Sequence, residues 1–230
     1  MAFVDYESWY VSMNVNYGMR PDIKGWYESL AKRVNLTEVV FFADFSHKSL
    51  ASEIQRIRPF SNKIIDTRNP AGVQKDFTDF IILDNIYQKA MMSEGIDVFI
   101  LFSGDGHFSS VVSFLKNICG KEVGVYGING SFSRQLQETA SWSETLPSEE
   151  ELYGNIYVLI FDELKNAKTM LTASTLTEAI LKKNKNIRKR DIEEVLNRLR
   201  AGDVLTARSV GKTKNAIFVD WEKAKEFIKE

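Results

Sequence analysis

Two aspartates in this chain close runs of apolar residues. Asp5 follows Ala2-Phe3-Val4, and Asp105 sits in Ser103-Gly104-Asp105-Gly106 directly after Val98-Phe99-Ile100-Leu101-Phe102. An apolar run without polar alternation reads as a strand covered on both faces, as in a parallel sheet. A carboxylate at the carboxyl end of such a strand stands where open α/β sheets hold their ligands. If the two strands are neighbours, both carboxylates face one crevice, and like charges that close call for a cation. A third source of acid is Lys75-Asp76-Phe77-Thr78-Asp79, at the start of a helical stretch, where Asp76 and Asp79 share a face. Oxygen ligands without a His/Cys framework suit Mg²⁺ or Mn²⁺ rather than zinc. Each acid also has a structural reading. Asp105 could cap a helix, and Asp76 or Asp79 could complement a helix dipole.

The elements that must position these acids alternate. Strands are expected at 2–4, 39–42, 63–66, 98–102 and 122–126, with helices at 26–34, 49–57 and 77–92 among the connections. Strands alternating with helices imply βαβ units, right-handed crossovers and a parallel sheet. In the order 3-2-1-4-5, strands 1 and 4 lie side by side. The expected fold is α/β: a three-layer domain over residues 1–146 with a mostly parallel five-stranded sheet. A boundary falls within 144–154, at Pro147 and Glu149-Glu150-Glu151. Beyond it, Ile156, Leu159, Ile160 and Leu164 share a helical face, and Thr175 and Glu178 have capping-box spacing. Ile192, Val195, Leu196 and Leu199 fit a third helix stopped by Gly202. Strands over 204–210 and 216–219 then flank a turn. Three helices and a hairpin describe a small winged helix-turn-helix domain over 152–230.

Charge separates the two parts. Fourteen basic residues face 19 acidic ones through residue 150, against 16 and 12 beyond it, for a net charge of −1 overall. Lys182, Lys183, Lys185, Arg188, Lys189 and Arg190 straddle the turn before the third helix, and Arg208, Lys212 and Lys214 lie in the hairpin. These cations read either as phosphate contacts or as a solvated face. The single cysteine, Cys119, excludes an internal disulfide and points to a reducing compartment. No apolar run reaches the roughly 20 residues of a membrane span, and Asp5 breaks any leader-like start. A cytoplasmic protein is expected. Gly124, Gly127 and Gly130 read as a loop after the fifth strand, without the spacing of a dinucleotide-binding turn. His47 reads as a surface loop residue.

FVDYES after the first methionine, QKDFTDFIILD, FSGDGHF and YGINGSFSRQLQETASWSETL together resemble the NYN domain, the PIN-like fold of the LabA-type proteins. The resemblance covers about residues 1–146. It implies a metal-dependent ribonuclease whose acids end strands 1 and 4 and begin the helix before strand 4. On this chain those are Asp5, Asp105 and Asp79, holding Mg²⁺ or Mn²⁺. It further implies that Ser103 holds the turn and that Ser131 lies near substrate phosphate. The chain departs from the pattern in three places. His107 stands where the usual turn, SGDxDF, has a second aspartate, and Ser8 stands where asparagine is common. From Asp79 to Asp84 is one residue short of the usual interval. Two functions remain open: an endoribonuclease on single-stranded or structured RNA, or a weakened or inactive RNA-binding regulator. His107 could act as a base, as a phosphate donor or only as a helix-start residue. The second domain would bind RNA, DNA or a protein partner. Gly211-Lys212-Thr213 falls in the expected hairpin and lacks the earlier glycine of a GxxxxGK[S/T] phosphate loop, which argues against a nucleotide phosphohydrolase.

Overall fold

The computed structural model describes residues 1–68, 77–92, 95–185, 187–211 and 213–227. The chain divides into two compact units. The first is Met1–Met13 with Met19–Leu146, and the second is Pro147–Glu230 with Asn14–Gly18.

In the first unit β1 (Ala2–Asp5) runs into α1 (Tyr6–Tyr17) and α2 (Ile23–Arg33), and then β2 (Val39–Ala43). Two short helices, α3 (Lys48–Ala51) and α4 (Glu53–Ile57), replace the single helix expected over 49–57. Next come β3 (Lys63–Asp66), α5 (Phe77–Met92), β4 (Val98–Phe102), α6 (Ser109–Asn117), β5 (Glu122–Ile128), α7 (Arg134–Thr139) and β6 (Trp142–Leu146). All six strands are parallel, in the order β3-β2-β1-β4-β5-β6. The sheet therefore carries one strand more than expected. The order reverses between β1 and β4, where Val4 pairs with Phe102.

The apolar runs have the two-sided burial that parallel strands need. Phe3, Phe42 and Phe99 stack on one face, in a core with Ile82 and Ile86 of α5 and Val111, Val112 and Leu115 of α6. Phe41 and Phe102, an odd number of positions from Phe42 and Phe99, point the other way. There Trp9 of α1 stacks on Phe102 at 4.0 Å, and Trp26 of α2 packs edge-on against Phe41, Phe102 and Tyr126. The result is three layers, helix–sheet–helix. Each buried Phe contributes about 2 kcal/mol through removal from water, and each aromatic pair about 1 kcal/mol more.

The extra strand is a short edge strand. Gly124 lies inside β5, within the strand expected over 122–126, and Gly127 joins it rather than a loop after it. A Cβ on Gly124 would collide with the Trp142 ring, and one on Gly127 with Phe132. Arg33 of α2 caps this edge, its guanidinium 3.5 Å from the centre of the Trp142 ring and ion-paired to Glu144.

The second unit holds α8 (Glu149–Asn166), α9 (Ala173–Lys183), α10 (Lys189–Ala201), an antiparallel hairpin of β7 (Leu205–Val210) and β8 (Thr213–Val219), and α11 (Trp221–Ala224). Ile156, Ile160, Leu176, Ile180, Ile192, Val195, Leu196 and Leu199 build its core. The capping box of α9 lies three residues earlier than its sequence signal. Thr172 is the N-cap and Thr175 the reciprocating residue, while Glu178 accepts from the Ser174 hydroxyl. Gly202 does follow α10, but the left-handed residue there is Asp203 at φ 54°.

Candidate metal centre

Three strand ends and one helix start build the crevice. At the end of β1, the buried Asp5 accepts from the Ser8 backbone N–H through Oδ1 (3.0 Å) and from the Ser103 hydroxyl through Oδ2 (3.4 Å). Burial pushes its carboxyl up to about 7. The charges of Asp79 and Glu7 push the same way, while the Ser8 and Ser103 hydrogen bonds pull it down.

At the end of β4 the chain turns sharply. The Ser103 N–H donates to the Tyr126 carbonyl (3.0 Å), and the Ser103 hydroxyl oxygen accepts from the Asp105 N–H (3.3 Å). Asp105 then caps a 3₁₀ turn over Gly106–Phe108, with Oδ1 accepting from the His107 N–H at 2.8 Å. The capping reading of Asp105 therefore holds for one oxygen. The loop after β5 braces this turn, because the Ser133 N–H donates to the Gly104 carbonyl at 2.9 Å. Gly104 lies so close to the Ser131 carbonyl that a Cβ would collide with it. Here glycine serves close backbone approach.

Asp79 stands in the first turn of α5 and is half-buried. The hydroxyls of Thr67 and Thr78 meet at 2.8 Å and tie the end of β3 to this helix start. Asp84 points to solvent and accepts from Gln88, so Asp79 is the acid of this helix that reaches the crevice.

One ligand atom each from Asp79, Asp105 and His107 lies within 4.8 Å of the others. The imidazole Nδ1 is 3.4 Å from Asp105 Oδ1. Asp5 is outside this group of three. It is joined to the same turn through Ser103, and it is near enough to Asp79 for their charges to interact. Two carboxylates and an imidazole at this spacing fit one divalent ion, and the repulsion between Asp5 and Asp79 is of the kind a cation relieves. The other expected residues are less central. Asp76 lies outside the described residues. Ser8 contributes its backbone N–H to Asp5, and Ser131 is exposed, with its N–H bound to the Ile128 carbonyl. Sequence reasoning missed Thr67, Thr78 and Ser133, since lone hydroxyls and a main-chain bond carry no spacing signal. Gly104 was visible only as a turn glycine.

The basic run of the second unit is partly engaged within that unit. Lys183 pairs with Glu163, Lys189 with Glu193, and Arg190 lies 3.9 Å from Asp191. Arg188 makes two hydrogen bonds to the buried Asp191 carboxylate. Lys182, Lys185 and Lys214 are exposed, Arg208 lies 5.9 Å over the Phe218 ring, and Lys212 lies outside the described residues. No helix among the described residues is long and apolar enough to cross a membrane.

A family model described as NYN domain matches residues 1–146. Among solved structures, the chain is similar to a crystal structure of a protein of unknown function from Vibrio parahaemolyticus RIMD 2210633. The two share 20% identity at a TM-score of 0.57, over 64% of this chain and 91% of that one. At that identity the likeness speaks to the fold alone. No curated protein matches.

Proposed function

This chain belongs to the NYN-domain family, and from that premise we propose that its first unit is a divalent-metal-dependent endoribonuclease acting on single-stranded or structured RNA. The family suggests a PIN-like nuclease or RNA-binding role, and the acidic crevice supports the nuclease reading. The observation that carries the proposal is the convergence of Asp79, Asp105 and His107 at the point where the sheet order reverses. An ion held there would neutralise charge on a phosphodiester and activate water for attack on phosphorus. Asp79 and Asp105 would hold it with carboxylate oxygens. Asp5 adds negative charge from the interior and, through Ser103, fixes the turn that aims Asp105. Ser131, exposed on the loop that braces the turn, would lie near a substrate phosphate, as the family resemblance implies. In the second unit, three helices and a hairpin support a winged-helix reading. Its exposed cations Lys182, Lys185 and Lys214, with Arg208 over the Phe218 ring, would recruit nucleic acid, with a protein partner as the other reading. The single cysteine accords with a cytoplasmic setting.

The test is cleavage of a single-stranded RNA by the full chain with Mn²⁺ or Mg²⁺. Cleavage should stop with EDTA, return with added ion and be absent in Asp105→Asn. Cleavage that survives chelation or that substitution would refute the assignment. RNA binding with no strand scission at any ion concentration would favour the regulatory reading, which the substitutions at His107 and Ser8 support.

A further inference from the structure

We propose that His107 is a nitrogen ligand of the crevice's ion and turns the site toward first-row transition ions, Mn²⁺ through Zn²⁺, and away from Mg²⁺. This rests on the reading of the crevice as a metal site, and it adds which ion that site selects.

Three observations support it. One ligand nitrogen of His107 is within 4.8 Å of the ligand oxygens of both Asp79 and Asp105, so the ring is among the atoms that would surround an ion. Its backbone is fixed at the same time: the His107 N–H is bound to Asp105 Oδ1 at 2.8 Å, and the 3₁₀ turn holds both residues two positions apart. The side chain is 77% exposed, and among the described residues its ion-pair partner is Asp105 itself. A ring with a core role would be packed, and this one is held at the crevice mouth instead.

The chemistry then differs from that of an all-carboxylate turn. A second aspartate at this position would bring one more hard oxygen and one more negative charge, both of which favour Mg²⁺. A neutral imidazole brings neither. It offers a borderline nitrogen donor, to which transition ions bind with increasing strength from Mn²⁺ toward Cu²⁺ and to which Mg²⁺ is nearly indifferent. Swapping one donor at this position therefore changes selectivity more than it changes ligand number.

The chain contains two histidines, and His47 lies elsewhere, 3.8 Å from Asp44. That makes the assignment readable by spectroscopy. The experiment uses the metal-stripped full chain titrated calorimetrically with Mn²⁺, Co²⁺ and Mg²⁺ alone, with pulsed electron paramagnetic resonance on the Mn²⁺ form. Wild type should show ¹⁴N coupling to Mn²⁺. His107→Ala and His107→Gln should lose it and bind Mn²⁺ and Co²⁺ about tenfold or more weaker, with Mg²⁺ affinity nearly unchanged. His107→Asp should lose the coupling and lower the Mn²⁺-to-Mg²⁺ affinity ratio by about tenfold. His47→Ala should keep wild-type behaviour. Nitrogen coupling that persists in His107→Ala, equal loss of all three ions, or no ion binding at all would overturn the proposal. The nuclease reading fails separately. Coupling through His107 with no RNA cleavage leaves this inference standing, whereas Mg²⁺-supported cleavage without coupling leaves the nuclease standing and removes this one.

Discussion

Replacing Asp5 by asparagine should stabilise the metal-free protein at neutral pH, although Asp5 belongs to the proposed catalytic group. Burial is the main reason its carboxyl is pushed from 3.8 to about 7 in the folded chain, and Asp79 and Glu7 reinforce the effect. A pKa raised by about 3 units means the folded state holds the proton more tightly than the unfolded one, a difference of about 4 kcal/mol. The stability carried by the protonated group is fully present below about pH 4, the unfolded value. It is lost as pH rises through about 7, the folded value. Asparagine is neutral throughout. Its carbonyl can accept from the Ser8 N–H and its amide can donate to Ser103, so both of the contacts Asp5 makes survive. Urea unfolding of metal-free Asp5→Asn, followed by tryptophan fluorescence, should show a gain approaching about 4 kcal/mol at pH 8. That gain should shrink to a fraction of a kcal/mol near pH 4. Mn²⁺ at about 100 times Kd should narrow that gap at pH 8, since such binding stabilises the wild type by about 2.7 kcal/mol and should do so much less in the variant. A stability difference that does not change between pH 4 and 8, or a variant weaker than wild type at pH 8, would refute the reasoning.

Asp105→Asn should abolish Mn²⁺ binding while costing less than about 1 kcal/mol of stability, because the amide oxygen can still cap the turn at the His107 N–H; calorimetry beside urea unfolding checks both. Gly104→Ala should drive the turn off the Ser131 carbonyl, destabilise by about 1–3 kcal/mol as overpacking does, and weaken Mn²⁺ binding with every ligand still present. If the second unit binds RNA through phosphates, Lys182, Lys185 and Lys214 replaced together by Ala should reduce the slope of log K against log salt by up to about 2, and an unchanged slope would make that face merely solvated. Arg188→Ala is a different experiment: it strips the buried Asp191 of its two hydrogen bonds and should lower stability by about 3 kcal/mol, seen as a lower unfolding midpoint whatever happens to RNA.

The centre of the sheet was legible because parallel strands buried on both faces carry their signal locally. Val98 to Phe102 and Val39 to Ala43 read as buried strands from their own residues, and the reversal between β1 and β4 was expected from the order 3-2-1-4-5 taken for such sheets. The sixth strand was not legible. Trp142-Ser143-Glu144-Thr145-Leu146 is half polar, and its place depends on a glycine 18 residues earlier and an arginine more than 100 residues earlier, partners that no local pattern announces. The pairing of Gly127 with Thr145 of that strand explains why Gly127 read as a loop. The cap of α9 was misplaced because Thr175 reciprocates with a hydroxyl, whereas the familiar pattern expects Glu or Gln there. Asp79 and Asp105 were findable from strand ends and helix starts. That His107 joins them depends on how a three-residue turn aims its ring, and spacing alone does not encode that.

The crevice is held by a different kind of interaction from the one that holds the sheet. Its walls are fixed by the Thr67–Thr78 contact, by Ser103 bridging Asp5 to the Asp105 N–H, and by the Ser133 N–H on Gly104. Each is worth about 1 kcal/mol, against an apolar core that contributes about twice that per buried ring. The polar ties together weigh little in the total, yet they decide where the acids point. At the same spot, the buried Asp5 next to Asp79 opposes folding whenever it is ionised. A sheet with this core tolerates that cost, and an ion in the crevice would offset part of it. The site can therefore be loosened or lost without unfolding the protein.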